Sequence, residues 1–364
     1  MNKIRILFLI DQLTGGGAEK ALCNLVNHLD PNLFDITVLT RYCCAPETSL
    51  APHIRYRAMN PGNSGLFDLW LRLCFWLGWG YSLLVGAGFD VEVAFLECFP
   101  TKVLAASQNK RALKLAWVHC DLGQKTLPPD YFDCYRAFDR VVCVSRAVQE
   151  SLARLMGRKG DILPNVWDSQ EILEKYRAYL PETTENFTFA AVGRLSEEKG
   201  FHRLIAAARR LRGEGYSFTL LLMGDGPERA RLEAAAEGTV RFLGFQDNPY
   251  PYMAAADALV IPSRTEGCST VAVEGLILGK AMAATNCPGM EDLLGDCALL
   301  VENSAQGVYQ GMKQLLTDPA LGYRLAAAAK DRGRGFSKEE TVKQTQEYLL
   351  RALAEKRGRP WQFI

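Results

Sequence analysis

Histidine is scarce in this chain: four residues in 364, none close enough to another to form a ligand cluster. No Cys-x-x-Cys pair occurs among the eleven cysteines, an odd number, which argues against a zinc site and against a disulfide frame. Reduced thiols in a cytoplasmic setting are expected instead. No Asp-x-Asp stands ready for a divalent metal, so no metal and no cofactor is expected. No Ser-His-Asp set is evident, and neither Gly-x-Gly-x-x-Gly nor a Walker A loop is present. Net charge is only +1, which gives no support for a nucleic-acid partner. Clean apolar runs of the ~20 residues a membrane span needs are also missing. Residues 66–89 come nearest, but Asp68 and Arg72 interrupt them and four glycines weaken the helix. The first apolar run ends at Asp11, so it reads as a first strand and not as a signal peptide.

What remains is ordinary for a soluble globular protein, 48% hydrophobic and 23% charged, and long enough that two domains are the default. The stretch from Thr265 to Gly275 organises the chemistry. Ala258–Ile261 reads as a buried parallel strand, followed by a turn. Ser269 or Thr270 then caps a helix that ends near Gly279. Glu266 lies on the strand-to-helix loop and Glu274 on the helix itself. Between them, Gly267, Cys268, Ser269 and Thr270 present a helix N-terminus whose unpaired N–H groups suit a phosphate. Carboxylates beside it can accept hydrogen bonds from sugar hydroxyls. Glutamates on helices are also commonly plain solvated surface.

Taken in order, the chain alternates strands and helices in two series. Ile4–Ile10 is a buried strand. Gly15-Gly16-Gly17-Ala18-Glu19 joins it to a helix, either as a ligand-approaching loop or as a tight turn. Strands follow at 35–40, 91–95 and 113–118. His119 stands directly after the last of these, at a carboxyl end that would face a ligand crevice, although a structural histidine fits equally. Residues 66–89 hold Trp70, Phe75, Trp76, Trp79 and Tyr81, and read as a buried helix, an aromatic face resting on a membrane, or a span. Residues 169–186 read as a linker between a first domain, 1–168, and a second, 187–336, with a C-terminal helix in 337–364 that packs back on the first domain. The second series opens with strand 187–192 and the loop Gly193-Arg194-Leu195-Ser196-Glu197-Glu198-Lys199. Arg194 and Lys199 there suit a pyrophosphate gripped from two sides, unless Glu197 and Glu198 neutralise them. Phe245 follows a short strand at 240–244, whose backbone could edge a nucleobase. The expected fold is α/β, two facing Rossmann-like domains with a cleft between them.

The glycine loop, Val144-Ser145, Gly193-Arg194 with Lys199, Gly224-Asp225-Gly226-Pro227 and the Glu-x7-Glu of Glu266 and Glu274, in this order, resemble the GT-B glycosyltransferases. The closest resemblance is to the large retaining family 4. It covers nearly the whole chain. It implies a nucleotide-sugar donor, expected to be a UDP-sugar, and transfer with retention to a saccharide or polyprenyl-linked saccharide in surface-polysaccharide synthesis. It further implies that Gly16 and Gly17 approach the donor phosphate and that Arg194 and Lys199 neutralise the leaving pyrophosphate. Glu266 would touch the transferred sugar, Glu274 the ribose, and His119 the sugar and acceptor. Where the family reads Asn-Gly-Val-Asp, this chain has Asn165-Val166-Trp167-Asp168. A peripheral position at the inner face of the plasma membrane is expected, through the aromatic stretch. A nucleotide-sugar epimerase or phosphorylase on the same architecture, or a non-catalytic two-domain sugar binder, stand as alternatives.

Overall fold

The computed structural model describes residues 3–43, 50–60, 62, 65–76, 81–124, 127–182 and 185–358. The chain divides into two compact units, Met1–Trp167 with Lys338–Ile364, and Asp168–Ser337.

The first unit is built on seven strands: β1 (Ile4–Ile10), β2 (Phe34–Tyr42), β3 (Arg55–Asn60), β4 (Val91–Ala94), β5 (Leu113–Val118), β6 (Arg140–Cys143) and β7 (Asp161–Ile162). Their order is β3-β2-β1-β4-β5-β6-β7, and every pairing is parallel. Parallel strands need crossovers that cover both faces, so the central strands are mostly apolar, with one charged residue each in β1, β4 and β5: Arg5, Glu92 and Lys114. β1 buries every residue except Arg5, and Ile6 is registered with Ile36 on one side and Val91 on the other. Phe8 meets Phe95 edge to face at 5.9 Å. The edge strand β3 is an addition to the strands read from the sequence. Its Arg55 and Arg57 hide the alternation, and Arg55 pairs with Asp35 of β2.

The Lys338–Lys356 helix belongs to this unit. It buries Val342, Tyr348, Leu349 and Leu353. Its polar groups close on the amino edge of the sheet: Tyr348 donates to Asp161 at 2.7 Å and Lys356 to Asp139 at 2.7 Å. Arg140 pairs with both Asp161 and Glu355.

The aromatic stretch divides between core and surface. Tyr81 opens a short π-helical turn, Tyr81–Val85. It is buried, and donates to Oε1 of the buried Glu92, which also accepts from Asn109 at 3.0 Å. On the Gly65–Trp76 helix, by contrast, Leu66 (82% exposed), Leu69, Trp70 and Leu73 form an outward stripe at helical spacing. Trp79 lies outside the described residues, and no described helix is long and apolar enough to cross a membrane.

The second unit holds β8 (Thr188–Val192), β9 (Thr219–Met223), β10 (Arg241–Gly244), β11 (Ala258–Ile261), β12 (Ala281–Thr285) and β13 (Leu299–Val301). The order is β10-β9-β8-β11-β12-β13, again all parallel. Phe189, Phe218, Leu204, Leu222 and Met312 lie in its core. The stretch read as a linker contributes the Ser169–Lys175 helix to this unit, where Asn248 donates to the Lys175 carbonyl at 2.8 Å.

Each sheet therefore reverses its strand order once, between β1 and β4 and between β8 and β11. In open parallel sheets a ligand crevice forms at the carboxyl ends of the strands at such a reversal. The loops that matter are thus those after β1 and β4 in one unit and after β8 and β11 in the other.

Leu353 is fully buried, so Leu353→Ala should cost about 2–5 kcal/mol. A urea titration should show a lower midpoint at unchanged slope, whereas a midpoint equal to wild type would remove the helix from the first unit's core.

Candidate functional site

In the second unit the loops after β8 and β11 are in direct contact. Gly200, with φ +68°, brings its backbone so near that a Cβ there would stand 2.1 Å from the Pro262 carbonyl oxygen; only glycine fits. The Arg264 amide donates to the Glu198 carbonyl at 2.8 Å, and its guanidinium pairs with Glu197 at 2.6 Å. From β12, the Thr285 hydroxyl donates to the carbonyls of Ile261 and Ser263. The loop that carries Glu266 is therefore held from two sides.

Glu266 is 8% exposed. Its Oε1 accepts from Lys199 Nζ at 2.7 Å and from Ser263 Oγ at 2.7 Å. A carboxylate taken out of water needs such partners, because an uncompensated buried charge is strongly destabilising. Lys199 and Arg194, which sequence spacing treats alike, thus differ. Lys199 is engaged with Glu266, while Arg194 is exposed, with no ion pair among the described residues. Glu197 neutralises Arg264 and neither of these two.

The Thr270–Ile277 helix starts where the sequence places it, with Ser269 Oγ accepting from the Ala272 amide at 3.4 Å. Glu274 turns inward, 2% exposed, and Tyr250 donates to its Oε1 at 3.0 Å. Gly267 is buried, and Cys268 and Thr270 are half-buried at the start of this helix. Burial first, then the Glu266 charge, pushes the Cys268 thiol up to about 12. Phe245, after β10, is exposed.

In the first unit, the helix after β1 begins at Gly17 with Gly16 as its N-cap. The amides of Thr14 and Gly16 both donate to Glu19 Oε2, the latter at 3.0 Å. These two amides of the glycine loop are therefore taken by the chain's own carboxylate. His119 follows β5, half-buried, with its ring 4.7 Å from Phe95. Its backbone amide and that of Cys120 donate to Oε1 of Glu97, at 2.5 and 3.0 Å. Asp121 is committed locally, to Gly123 at 2.9 Å and to Ser151.

Three residues were not picked out from the sequence: Ser263, Tyr250 and Glu97. Glu97 had a visible signal, an acidic residue just past the apolar run of β4, beside the strand-order reversal. Among the described residues, no group of three or more His, Cys, Asp or Glu is placed to hold a metal.

Residues 186–318, most of the second unit, match the family model described as Glycosyl transferases group 1. The chain is 31% identical to the lipopolysaccharide core biosynthesis glycosyltransferase LpsE of Rhizobium meliloti over 221 residues, 58% of this chain and 64% of that protein. It is 32% identical over 202 residues to a Campylobacter jejuni enzyme, N-acetylgalactosamine-N,N'-diacetylbacillosaminyl-diphospho-undecaprenol 4-alpha-N-acetylgalactosaminyltransferase, covering 53% of this chain and 54% of that one. The matches thus span less than two thirds of the length of these curated relatives. Among solved structures, Anabaena Alr3699/HepE in complex with UDP and glucose superposes with a TM-score of 0.75 at 21% identity, over 95% of this chain and 99% of that one. The fold is that of the GT-B glycosyltransferases, two α/β units each on a parallel sheet.

A thiol held near 12 is protonated at neutral pH, and thiolate is the reacting form. Iodoacetamide at pH 8, mapped by mass spectrometry, should label exposed Cys43 well before Cys268. Equal rates would contradict the raised thiol assigned to Cys268.

Proposed function

We propose that the chain is a retaining glycosyltransferase of family 4 type. It moves a sugar from a nucleotide-sugar donor, a UDP-sugar, to a saccharide or polyprenyl-linked saccharide in surface-polysaccharide assembly. The observation that carries this is the Lys199–Glu266–Ser263 cluster at the strand reversal of the second sheet, with Arg194 exposed on the same loop. Departure of a nucleoside diphosphate develops negative charge on the β-phosphate. Preorganised cations lower that barrier because they need no reorganisation as the bond breaks. Arg194 supplies the uncommitted charge. Lys199 supplies a second, held in place by Glu266. Glu266 in turn faces the transferred sugar as acceptor of its hydroxyls, and Glu274 takes the ribose. Gly267, Cys268, Ser269 and Thr270 lie along the donor, Phe245 beside the base. Gly16, Gly17 and His119 keep the roles that the resemblance gives them, and the reaction so drawn uses no metal or other cofactor.

The names of the relatives support the substrate classes. One concerns lipopolysaccharide core biosynthesis, one a diphospho-undecaprenol-linked acceptor, and one structure holds UDP. A carrier on a long polyprenyl chain sits at a membrane surface. The exposed stripe Leu66, Leu69, Trp70 and Leu73 is suited to rest there, at the inner face of the plasma membrane.

Nucleotide release from a panel of nucleotide sugars, with candidate acceptors, tests the activity. Arg194→Ala should lower turnover by ~10²–10³ at saturating donor while the protein stays folded; a wild-type rate would remove Arg194 from the reaction, and no release from any donor would sink the glycosyltransferase reading.

The membrane reading has its own test in sedimentation with anionic phospholipid vesicles. Wild type should partition to the pellet and Leu69→Ser/Leu73→Ser should stay in solution. Equal partitioning of the two, or none by wild type, would refute it.

A further inference from the structure

Resting on the reading of Glu274 above, we propose that Tyr250 is a positioning residue for ribose recognition: its hydroxyl fixes the carboxylate plane of Glu274 toward the donor's ribose hydroxyls. Glu274 is 2% exposed and Tyr250 8%. Water has little access to orient a carboxylate so enclosed, and its direction is set by protein donors. Tyr250 gives one, to Oε1, at 3.0 Å. A vicinal ribose diol presents two donors side by side, and a carboxylate receives both only when its plane is turned to them. A hydroxyl that holds one oxygen selects that plane before the nucleotide arrives.

Tyr250 is itself firmly based. It opens the Tyr250–Ala255 helix, and its amide donates to Asn248 Oδ1 at 3.3 Å. Asn248 donates through Nδ2 to the Lys175 carbonyl at 2.8 Å and accepts at its own carbonyl from Tyr179 at 3.2 Å. The turn is thereby pinned to the segment after the Ser169–Lys175 helix. Burial, then the neighbouring Glu274 charge, pushes the Tyr250 hydroxyl well above its usual range, so it stays a donor at any working pH. The same short segment carries Phe245 outward and Tyr250 inward. A base-side ring and a ribose-side hydroxyl are thus delivered by one piece of chain.

Tyr250→Phe removes the hydroxyl and keeps the ring. Calorimetry on the full chain would use UDP, ADP and GDP, and the tightest would be carried forward with its 2′-deoxy counterpart. Wild type should prefer the ribo form. In Tyr250→Phe the ribo form should weaken about tenfold, the deoxy form much less, so that the preference shrinks. In a Glu274→Ala background, Tyr250→Phe should add little, because no carboxylate is left for the hydroxyl to orient. A merely structural tyrosine would weaken both nucleotides together and would add its loss in either background; that result overturns the proposal. A wild-type protein with no ribo preference overturns the reading of Glu274, and no binding of any of the three overturns the nucleotide reading itself. Undiminished preference in Tyr250→Phe beside a clear wild-type preference overturns the role of Tyr250 alone.

Discussion

A buried carboxylate cannot be left alone, and Glu266 is the one on which the second unit's candidate site is arranged. It sits on the loop after β11, and its compensating cation comes from the loop after β8. The two loops are therefore tied by charge at the point where their strands lie side by side. Ser263 adds a neutral donor to the same oxygen, and Thr285 holds the backbone on which Ser263 stands. Close approach of Gly200 to the Pro262 carbonyl makes the arrangement compact enough for a lysine to reach. Without Lys199 the carboxylate would be strongly disfavoured where it is; without Glu266, Lys199 would lose the anchor that aims it.

Much of this was legible in the sequence because parallel strands buried on both faces are mostly apolar. Ala258–Ile261 announces itself as an unbroken run, and Ile4–Ile10 and Leu113–Val118 as runs broken by a single cation each, Arg5 and Lys114. β3 did not, because an edge strand is half solvated and Arg55 and Arg57 interrupt its pattern. The loop residues of the candidate site could be proposed from the sequence where a motif marks them, as with Arg194, Lys199, Glu266 and Glu274. They were not legible where the link is purely spatial. Glu97 and His119 are 22 residues apart, and they meet only because β4 and β5 are neighbours. Tyr250 and Glu274 are 24 residues apart and meet only through a side-chain hydrogen bond made in the fold. Composition also could not separate Tyr81 from Trp70. The difference is that Tyr81 faces Glu92 within the fold, whereas Trp70 lies on the outward side of its helix.

The same strand-reversal geometry recurs in both units, yet the helix starts that follow their first strands differ in what they can bind. After β1, the amides of Thr14 and Gly16 are taken by Glu19, so an anion approaching there meets a negative charge already seated. After β8, the Phe201–Gly213 helix begins at Gly200 with no side-chain cap, next to Lys199 and a few residues from Arg194. Glu197, on the turn before this start, is drawn off by Arg264. A helix N-terminus favours anions through its unpaired amides and its dipole, and a nearby cation adds to both. The second unit is therefore the one whose local electrostatics suit a diphosphate. For a phosphate to be met through the Gly16 amide, as the family resemblance implies for Gly16 and Gly17, Glu19 would have to release that amide. The glycines permit close backbone approach in either case, whereas the cations beside an uncapped helix start, Arg194 and Lys199, stand in the second unit.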